Sequence, residues 1–169
     1  LSLKHLHDGG AVAIYLLPYF RERTFIGSEG RLRPSIPIDD ESASYESDRE
    51  NHHLDYAIRL QHSFNSIDLG LSYFDGTARE PTLQFDNNTM QLTPYYPQMK
   101  QVGLEFLYIA SDWLWKLENK YVTSEEKEYN AAVGGVEYTM YRWWGTGVDL
   151  GLFIVISLYM LGYRSSDSW

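Results

Sequence analysis

Hydrophobic and polar residues alternate with period two through most of this chain. Between residues 53 and 64, Tyr56, Ile58, Leu60, His62 and Phe64 alternate with Asp55, Ala57, Arg59, Gln61 and Ser63. After Asn65-Ser66 the pattern resumes, with Ile67, Leu69, Leu71 and Tyr73 against Asp68, Gly70 and Ser72. Period two predicts β-strands with one apolar and one polar or small face. A two-residue Asn-Ser loop pairs Phe64 with Ile67, His62 with Leu69, Leu60 with Leu71 and Ile58 with Tyr73. The large apolar side chains then share one face, and a one-residue slip would break that agreement.

The same unit recurs along the chain. His7-Asp8-Gly9-Gly10 predicts a tight turn that sets Leu3 opposite Ile14 and Leu1 opposite Leu16. The strand that follows, residues 11–21, carries Val12, Ile14, Leu16 and Phe20 on its apolar face and is interrupted by Pro18. Residues 100–110 carry Val102, Leu104, Phe106 and Tyr108; the turn Ser111-Asp112 leads into Trp113, Trp115, Leu117 and Tyr121. Pairing Ala110 with Trp113 sets Tyr108 against Trp115 and Phe106 against Leu117. Residues 129–141, with Ala132, Val136, Tyr138 and Met140, predict another strand. A turn over 142–147 precedes the last alternating run, with Val148, Leu150, Leu152, Ile154 and Ile156 on the apolar face. Same-face pairing across that turn requires an odd loop length. Residues 152–161 are apolar nearly throughout, which reads as a fully buried strand or an altered end.

The connections alternate in kind. Tight turns fall at Asp8-Gly9, Asn65-Ser66, Ser111-Asp112 and around Gly145. Residues 22–52 and 75–99 read as long loops, and 124–128 as a short acidic connection. About eight strands of about 9–11 residues, joined by tight turns at one end and long loops at the other, predict an antiparallel up-and-down transmembrane β-barrel. The whole chain, 1–169, reads as one barrel domain or barrel segment. Its first residue is Leu1, which suits a mature or partial chain. Trp113, Trp143 and Trp144 lie at strand ends, where an interfacial aromatic girdle would place them. Alternation alone also fits a soluble lipocalin-like barrel whose apolar face is the core. Charges and glycines together on the other face, with the loop asymmetry, favour the membrane reading.

Composition narrows this further. Aromatic residues make up 15% of the chain, including 14 Tyr, which suits β-structure and membrane interfaces. The mean hydropathy of -0.37 argues against a bundle of membrane helices but not against a barrel. There is no cysteine, so disulfides and zinc-thiolate sites are excluded. The net charge of -9 disfavours a nucleic-acid partner.

Four strings resemble segments of porin-like outer-membrane β-barrel proteins of Gram-negative bacteria: DLGLSYFDGTAREP (68–81), YYPQMKQVGLEF (95–106), WLWKLE (113–118) and GGVEYT (134–139). The resemblance covers about residues 10–150. It implies an outer-membrane location, a lipid bilayer and lipopolysaccharide as surroundings, and passive passage of small solutes. It also implies that the chain is part of a larger barrel or a shortened member. It carries no catalytic motif onto this chain.

The polar face offers Asp55, Arg59, Asp68, Glu105, Lys116, Glu118, Lys120, Glu137 and Asp149 as lumen-lining residues. These read either as a pore lining or as a salt-bridge network that fills a narrow lumen. Glu105 falls opposite Glu118, a repulsion the lysines are expected to relieve. The apolar face offers Ile58, Leu60, Leu69, Leu71, Leu104, Phe106, Trp115, Leu117, Val136 and Leu150 as lipid contacts. Asp39, Asp40 and Glu41 form a weak calcium candidate without EF-hand spacing, as does Asp86-Asn87-Asn88. His52-His53 is a poor metal pair, because neighbours on a strand point to opposite faces. No nucleophile elbow, phosphate loop or zinc-hydrolase motif is present. The sequence therefore predicts a porin-like passive channel without catalysis or cofactor. Its alternatives are a structural or adhesive barrel acting through its acidic loops, and a soluble barrel binding an apolar ligand.

Overall fold

The computed structural model describes residues 1–27, 30, 31, 34–145 and 147–162. In chain order the strands are β1 (Ser2–His7), β2 (Gly10–Leu17), β3 (Ser44–Tyr45), β4 (Asp55–Phe64), β5 (Ile67–Thr77), β6 (Thr82–Asp86), β7 (Gln91–Tyr96), β8 (Gln98–Ala110), β9 (Trp113–Ser124), β10 (Glu128–Met140) and β11 (Leu150–Gly162). Eight of them form one antiparallel meander in the order β1-β2-β4-β5-β8-β9-β10-β11. The other three form a small sheet, β3-β7-β6.

The hairpin registers are those the alternation predicts. His7 pairs with Gly10 and Leu3 with Ile14. Phe64 pairs with Ile67, Leu60 with Leu71 and Ile58 with Tyr73. Ala110 pairs with Trp113, Tyr108 with Trp115 and Phe106 with Leu117. The chain reverses through left-handed backbone at Gly9 (φ 73°), Asn65 (φ 50°) and Ser111 (φ 53°). Asn and Gly tolerate that region, so the two-residue loops close without a bulge.

The sheet is not closed into a barrel. β1 and β11 are its two edges and do not pair with each other. It is nevertheless strongly curled. Tyr15 of β2 and Tyr159 of β11 line one cavity. They stand six strand steps apart, which a flat sheet would separate by about 29 Å. The charged and small residues occupy the concave side, where Ala13 is 6% and Val122 4% exposed. The large apolar residues occupy the convex side, where Leu71, Val102 and Trp115 are each 48% exposed.

The tightest packing lies at the end opposite the short turns. There the long connections fold into a cap around the small sheet. Residues 75–99 are therefore not a loop: β5 runs on to Thr77, β8 begins at Gln98, and β6 and β7 form a hairpin between them. That hairpin turns at Asp86, whose carboxylate accepts hydrogen bonds from the Asn88 N–H and the Thr89 hydroxyl, each at 2.9 Å. The Asn88 bond, with help from Thr89, holds the Asp86 carboxyl below the usual carboxylate range. Its contribution is present above the ordinary Asp range and is lost as pH falls through the lowered value. The described residues of 22–52 are largely irregular, as expected, apart from β3, a bridge from Ile38 to Leu92 and a 3-10 turn at Glu50–His52.

Phe20 (2% exposed) and Tyr96 (0%) are the core of the cap. Their rings meet edge-on at 4.9 Å, and Tyr45 stacks on Tyr96 at 5.4 Å. Burial, then the hydrogen bond to Glu22, pushes the Tyr45 phenol well above its ordinary range. The Thr82 hydroxyl bonds Glu126, so the third connection also touches the cap.

Three further expectations are corrected. β2 stops at Leu17, because Pro18 offers no N–H to continue the ladder. The turn around Gly145 is a nine-residue connection, 141–149, with a 3-10 turn at Trp143–Gly145; its odd length keeps Met140 opposite Leu150 and leaves Val148 outside the strand. The apolar run 152–161 is not buried. It forms most of the edge strand β11, where Phe153 is 73% and Ile154 60% exposed on opposite faces.

Gly10 opens β2 and pairs with His62 of β4. A Cβ there would lie 2.3 Å from the Gln61 carbonyl oxygen, a backbone atom that cannot step aside. Gly10→Ala is expected to cost about 1–3 kcal/mol through overpacking. Gly27→Ala, with open space around it, should cost much less. Urea midpoints of the two variants in detergent check this; equal midpoints would refute it.

Candidate functional site

The candidate site is the concave face. At its centre Glu105 of β8 stands opposite Glu118 of β9. Two like charges in register repel. Relief comes from Arg59 of β4, which reaches across the intervening β5. Its two terminal nitrogens meet the two Glu105 oxygens at 2.9 and 2.6 Å, a bidentate pair. Gly70 of β5 makes room, since a Cβ there would stand 3.0 Å from a Glu105 carboxylate oxygen. The expectation that the lysines relieve this repulsion holds only for Glu118, on the side of Lys116, while Glu105 is served by Arg59. Lys116 approaches Glu118 only at 4.0 Å, and Lys120 lies 5.4 Å above the Tyr129 ring.

The face divides along its length. Toward the short turns, Asp68, Glu105, Glu118 and Lys116 border a cavity of about 340 Å³, with an excess of carboxylates. Toward the cap, a larger cavity of about 740 Å³ is bordered by Arg59, Arg79, Lys120 and Lys127, with Glu80 as its acid. Tyr15, Phe74, Tyr129 and Tyr159 supply its aromatic walls. Between them lies a space of about 370 Å³ that Glu105, Glu118 and Lys120 share. Glu137 lies on the same face of β10, exposed, between Leu114 and Phe153.

Two of the proposed lumen residues lie elsewhere. Asp55 is completely buried at the start of β4, beneath the cap. It accepts hydrogen bonds from the Thr77 N–H at 3.0 Å and from Arg79 at 2.8 Å. His53 Nδ1 lies 2.9 Å from the same carboxylate. Gly76 allows this approach, because a Cβ there would fall 2.3 Å from the Asp55 carboxyl carbon. Asp55 therefore latches the cap to the sheet rather than facing open space. Alternation placed it on the polar face correctly but could not show what covers it. Asp149 is not on a strand. It lies in the 141–149 connection and accepts the Arg142 N–H at 3.0 Å.

The calcium candidates do not converge. Among the described residues no three metal-ligating side chains gather, and Asp39 instead accepts the Ser42 hydroxyl at 2.7 Å. Both Asp86 oxygens serve its own turn.

The apolar set shares the convex face. Ile58, Leu60, Leu69, Leu71, Trp115, Leu117 and Leu150 are exposed there, while Leu104, Phe106 and Val136 are half-buried among their neighbours. Pattern reading missed Arg79, Thr77, Lys127, Tyr129 and Tyr159 as parts of the site. One signal was available for the cap: two short strand-like runs, 82–86 and 91–96, flank the turn-forming Asp86-Asn87-Asn88.

Arg79→Ala would leave Asp55 buried without its charged partner. The expected loss is about 3 kcal/mol, the low end for breaking a buried pair, because Arg79 is half exposed. Cleavage by protease within 78–97 should rise as the cap loosens. An unchanged urea midpoint together with unchanged cleavage would remove the latch.

The chain matches no protein-family model, no curated protein and no solved structure.

Proposed function

We propose that this chain is a porin-like outer-membrane β-barrel or barrel segment, a passive channel without catalysis, seated in a Gram-negative outer membrane. The observation that carries the reading is the convex face. It is mostly apolar from β1 to β11, its leucines, isoleucines and tryptophans being 37–48% exposed in β4, β5 and β9, and its polar pair Asn119 and Asn130 satisfy each other at 2.8 Å. Monomeric proteins in water rarely expose apolar patches larger than a few hundred Å². Lipid removes the cost of such a surface, and lipopolysaccharide would surround its outer end. A soluble barrel with an apolar interior would need the opposite arrangement of faces. No helix among the described residues is long and apolar enough to cross a membrane.

Antiparallel strands satisfy their backbone groups in lipid only when the sheet has no free edge. In this reading, further strands or a second copy must meet the edges at β1 and β11. The concave face then lines a polar lumen, with the short turns on the periplasmic side and the cap outside.

The folded cap supports a second reading. A packed plug at the mouth suits a structural or adhesive barrel that passes little. Conductance across planar bilayers separates the two. The channel reading expects discrete current steps from the folded, inserted full chain; insertion without current favours the second reading. If the chain instead folds without detergent and stays in the aqueous phase, both fail.

Leu71 is the fifth of the eleven residues of β5 and lies on its convex side. Leu71→Arg is expected to lower folding stability in lipid by about 2–4 kcal/mol. The same change on a surface facing water should cost little, so a near-zero effect in lipid vesicles would count against membrane insertion.

A further inference from the structure

The cavity beneath the cap has the composition of a binding site for a particular class of solute. Its four cations are not equivalent. Arg59 is neutralised by Glu105 and Arg79 by Asp55. Lys120 and Lys127 form no ion pair among the described residues. The acid on the wall, Glu80, is exposed and faces Arg23 at 4.0 Å. In a chain of net charge -9, this end of the concave face therefore keeps two ammonium groups outside any ion pair, with Glu126 held instead by Thr82 of the same wall.

The rest of the wall is aromatic. Tyr129 and Tyr159 lie ring against ring at 5.4 Å, and Lys120 sits over the Tyr129 ring at 5.4 Å. Phe74 lies across the cavity with the Arg79 guanidinium 5.5 Å from its ring centre. β10 and β11 turn Val133, Val155 and Tyr159 to the concave side, whereas β4 to β9 turn Arg59, Glu105, Glu118 and Lys120 to it. The cavity thus has one apolar wall and one polar wall, with the free lysines where they meet. Its volume, about 740 Å³, falls in the range of small-molecule sites.

We infer that this cavity holds an organic anion with an aromatic body, its carboxylate on Lys120 and Lys127 and its ring against Tyr129 and Tyr159. A carboxylate there gains charge-assisted hydrogen bonds from two ammonium groups that no carboxylate among the described residues holds in an ion pair. The ring gains stacking contacts on tyrosine faces. A cation of the same shape meets two lysines and is refused. The cavity near the short turns, bordered by Asp68, Glu105 and Glu118, has the opposite charge balance and does not suit the same solute. The inference deepens the lumen reading above and rests on it for the solute's route, but not for its binding.

Benzoate, benzylamine and acetate are suitable probes, titrated into the folded full chain in detergent, with protein-free micelles subtracted, and followed by ligand-detected NMR. Benzoate is expected to bind about threefold to tenfold more tightly than acetate, from its ring contacts, and at least about tenfold more tightly than benzylamine, the size of one net charge-assisted hydrogen bond. Lys120→Gln combined with Lys127→Gln should remove that preference, while Lys116→Gln in the other cavity should leave it intact. Both variants should keep the parent's urea midpoint. Equal binding of benzoate and benzylamine, or a preference that survives the double substitution, would overturn the inference. Conductance keeps the two readings apart. Benzoate binding without current supports the site and sinks the channel; current without benzoate preference supports the channel and sinks the site.

Discussion

Curling an antiparallel sheet crowds one face and opens the other, and most of this structure follows from that asymmetry. On the concave side, side chains converge, so small residues must be interleaved with the long charged ones. Ala11, Ala13, Gly70, Gly103 and Gly135 supply that space. Gly103 is backed by the Ser72 hydroxyl, which a Cβ would meet at 2.5 Å, and Gly70 by Glu105. On the convex side the side chains diverge, and large apolar residues spread without clashing. In β4 and the first half of β5, period-two alternation therefore places large apolar residues outside and small or polar residues inside, whereas β10 and β11 also turn Val133, Val155 and Tyr159 inward. A soluble barrel uses the same backbone with the opposite chemistry.

Where alternation and turn chemistry act on neighbouring strands, the sequence was legible. The hairpins at Asp8-Gly9, Asn65-Ser66 and Ser111-Asp112 have the predicted registers because each is set by a two-residue loop and a repeating pattern. What lies beyond adjacent strands was not legible. Arg59 serves Glu105 by reaching over a whole strand, a contact that depends on curl and on the absence of a side chain at Gly70. The two-residue β3 has no period of its own and exists only by pairing with β7, some fifty residues later. β11 escaped for a different reason: both its faces are apolar, so no pattern marks which side is which. Its exposure reflects its place at the sheet edge.

The cap and the concave face are joined through few side chains. Asp55 begins β4, the strand that also carries Arg59, so the buried latch and the central ion pair share one backbone. Thr77 ends β5 and gives its N–H to Asp55, which fixes where the chain leaves the sheet to form the cap. Arg79 follows two residues later. It bonds Asp55 and lies over Phe20 at 5.0 Å, within the aromatic core of the cap. The loop end of the sheet is thus held by a carboxylate that is affordable only because three donors surround it.

Arg79 also borders the large cavity, and this couples cap order to cavity charge. While Asp55 holds it, its charge is cancelled and its guanidinium packs between Phe20 and Phe74. Lys120 and Lys127 then remain the wall's cations outside any ion pair among the described residues. Were the latch to open, a third cation would enter the cavity and the aromatic packing around it would be lost. An anion bound at Lys120 and Lys127 would compete with Asp55 for Arg79, but at a disadvantage. The buried carboxylate has no water to fall back on, whereas the anion does. The closed cap is therefore the state in which charge selection rests on the two lysines alone, and the latch is what keeps a third charge out of that selection.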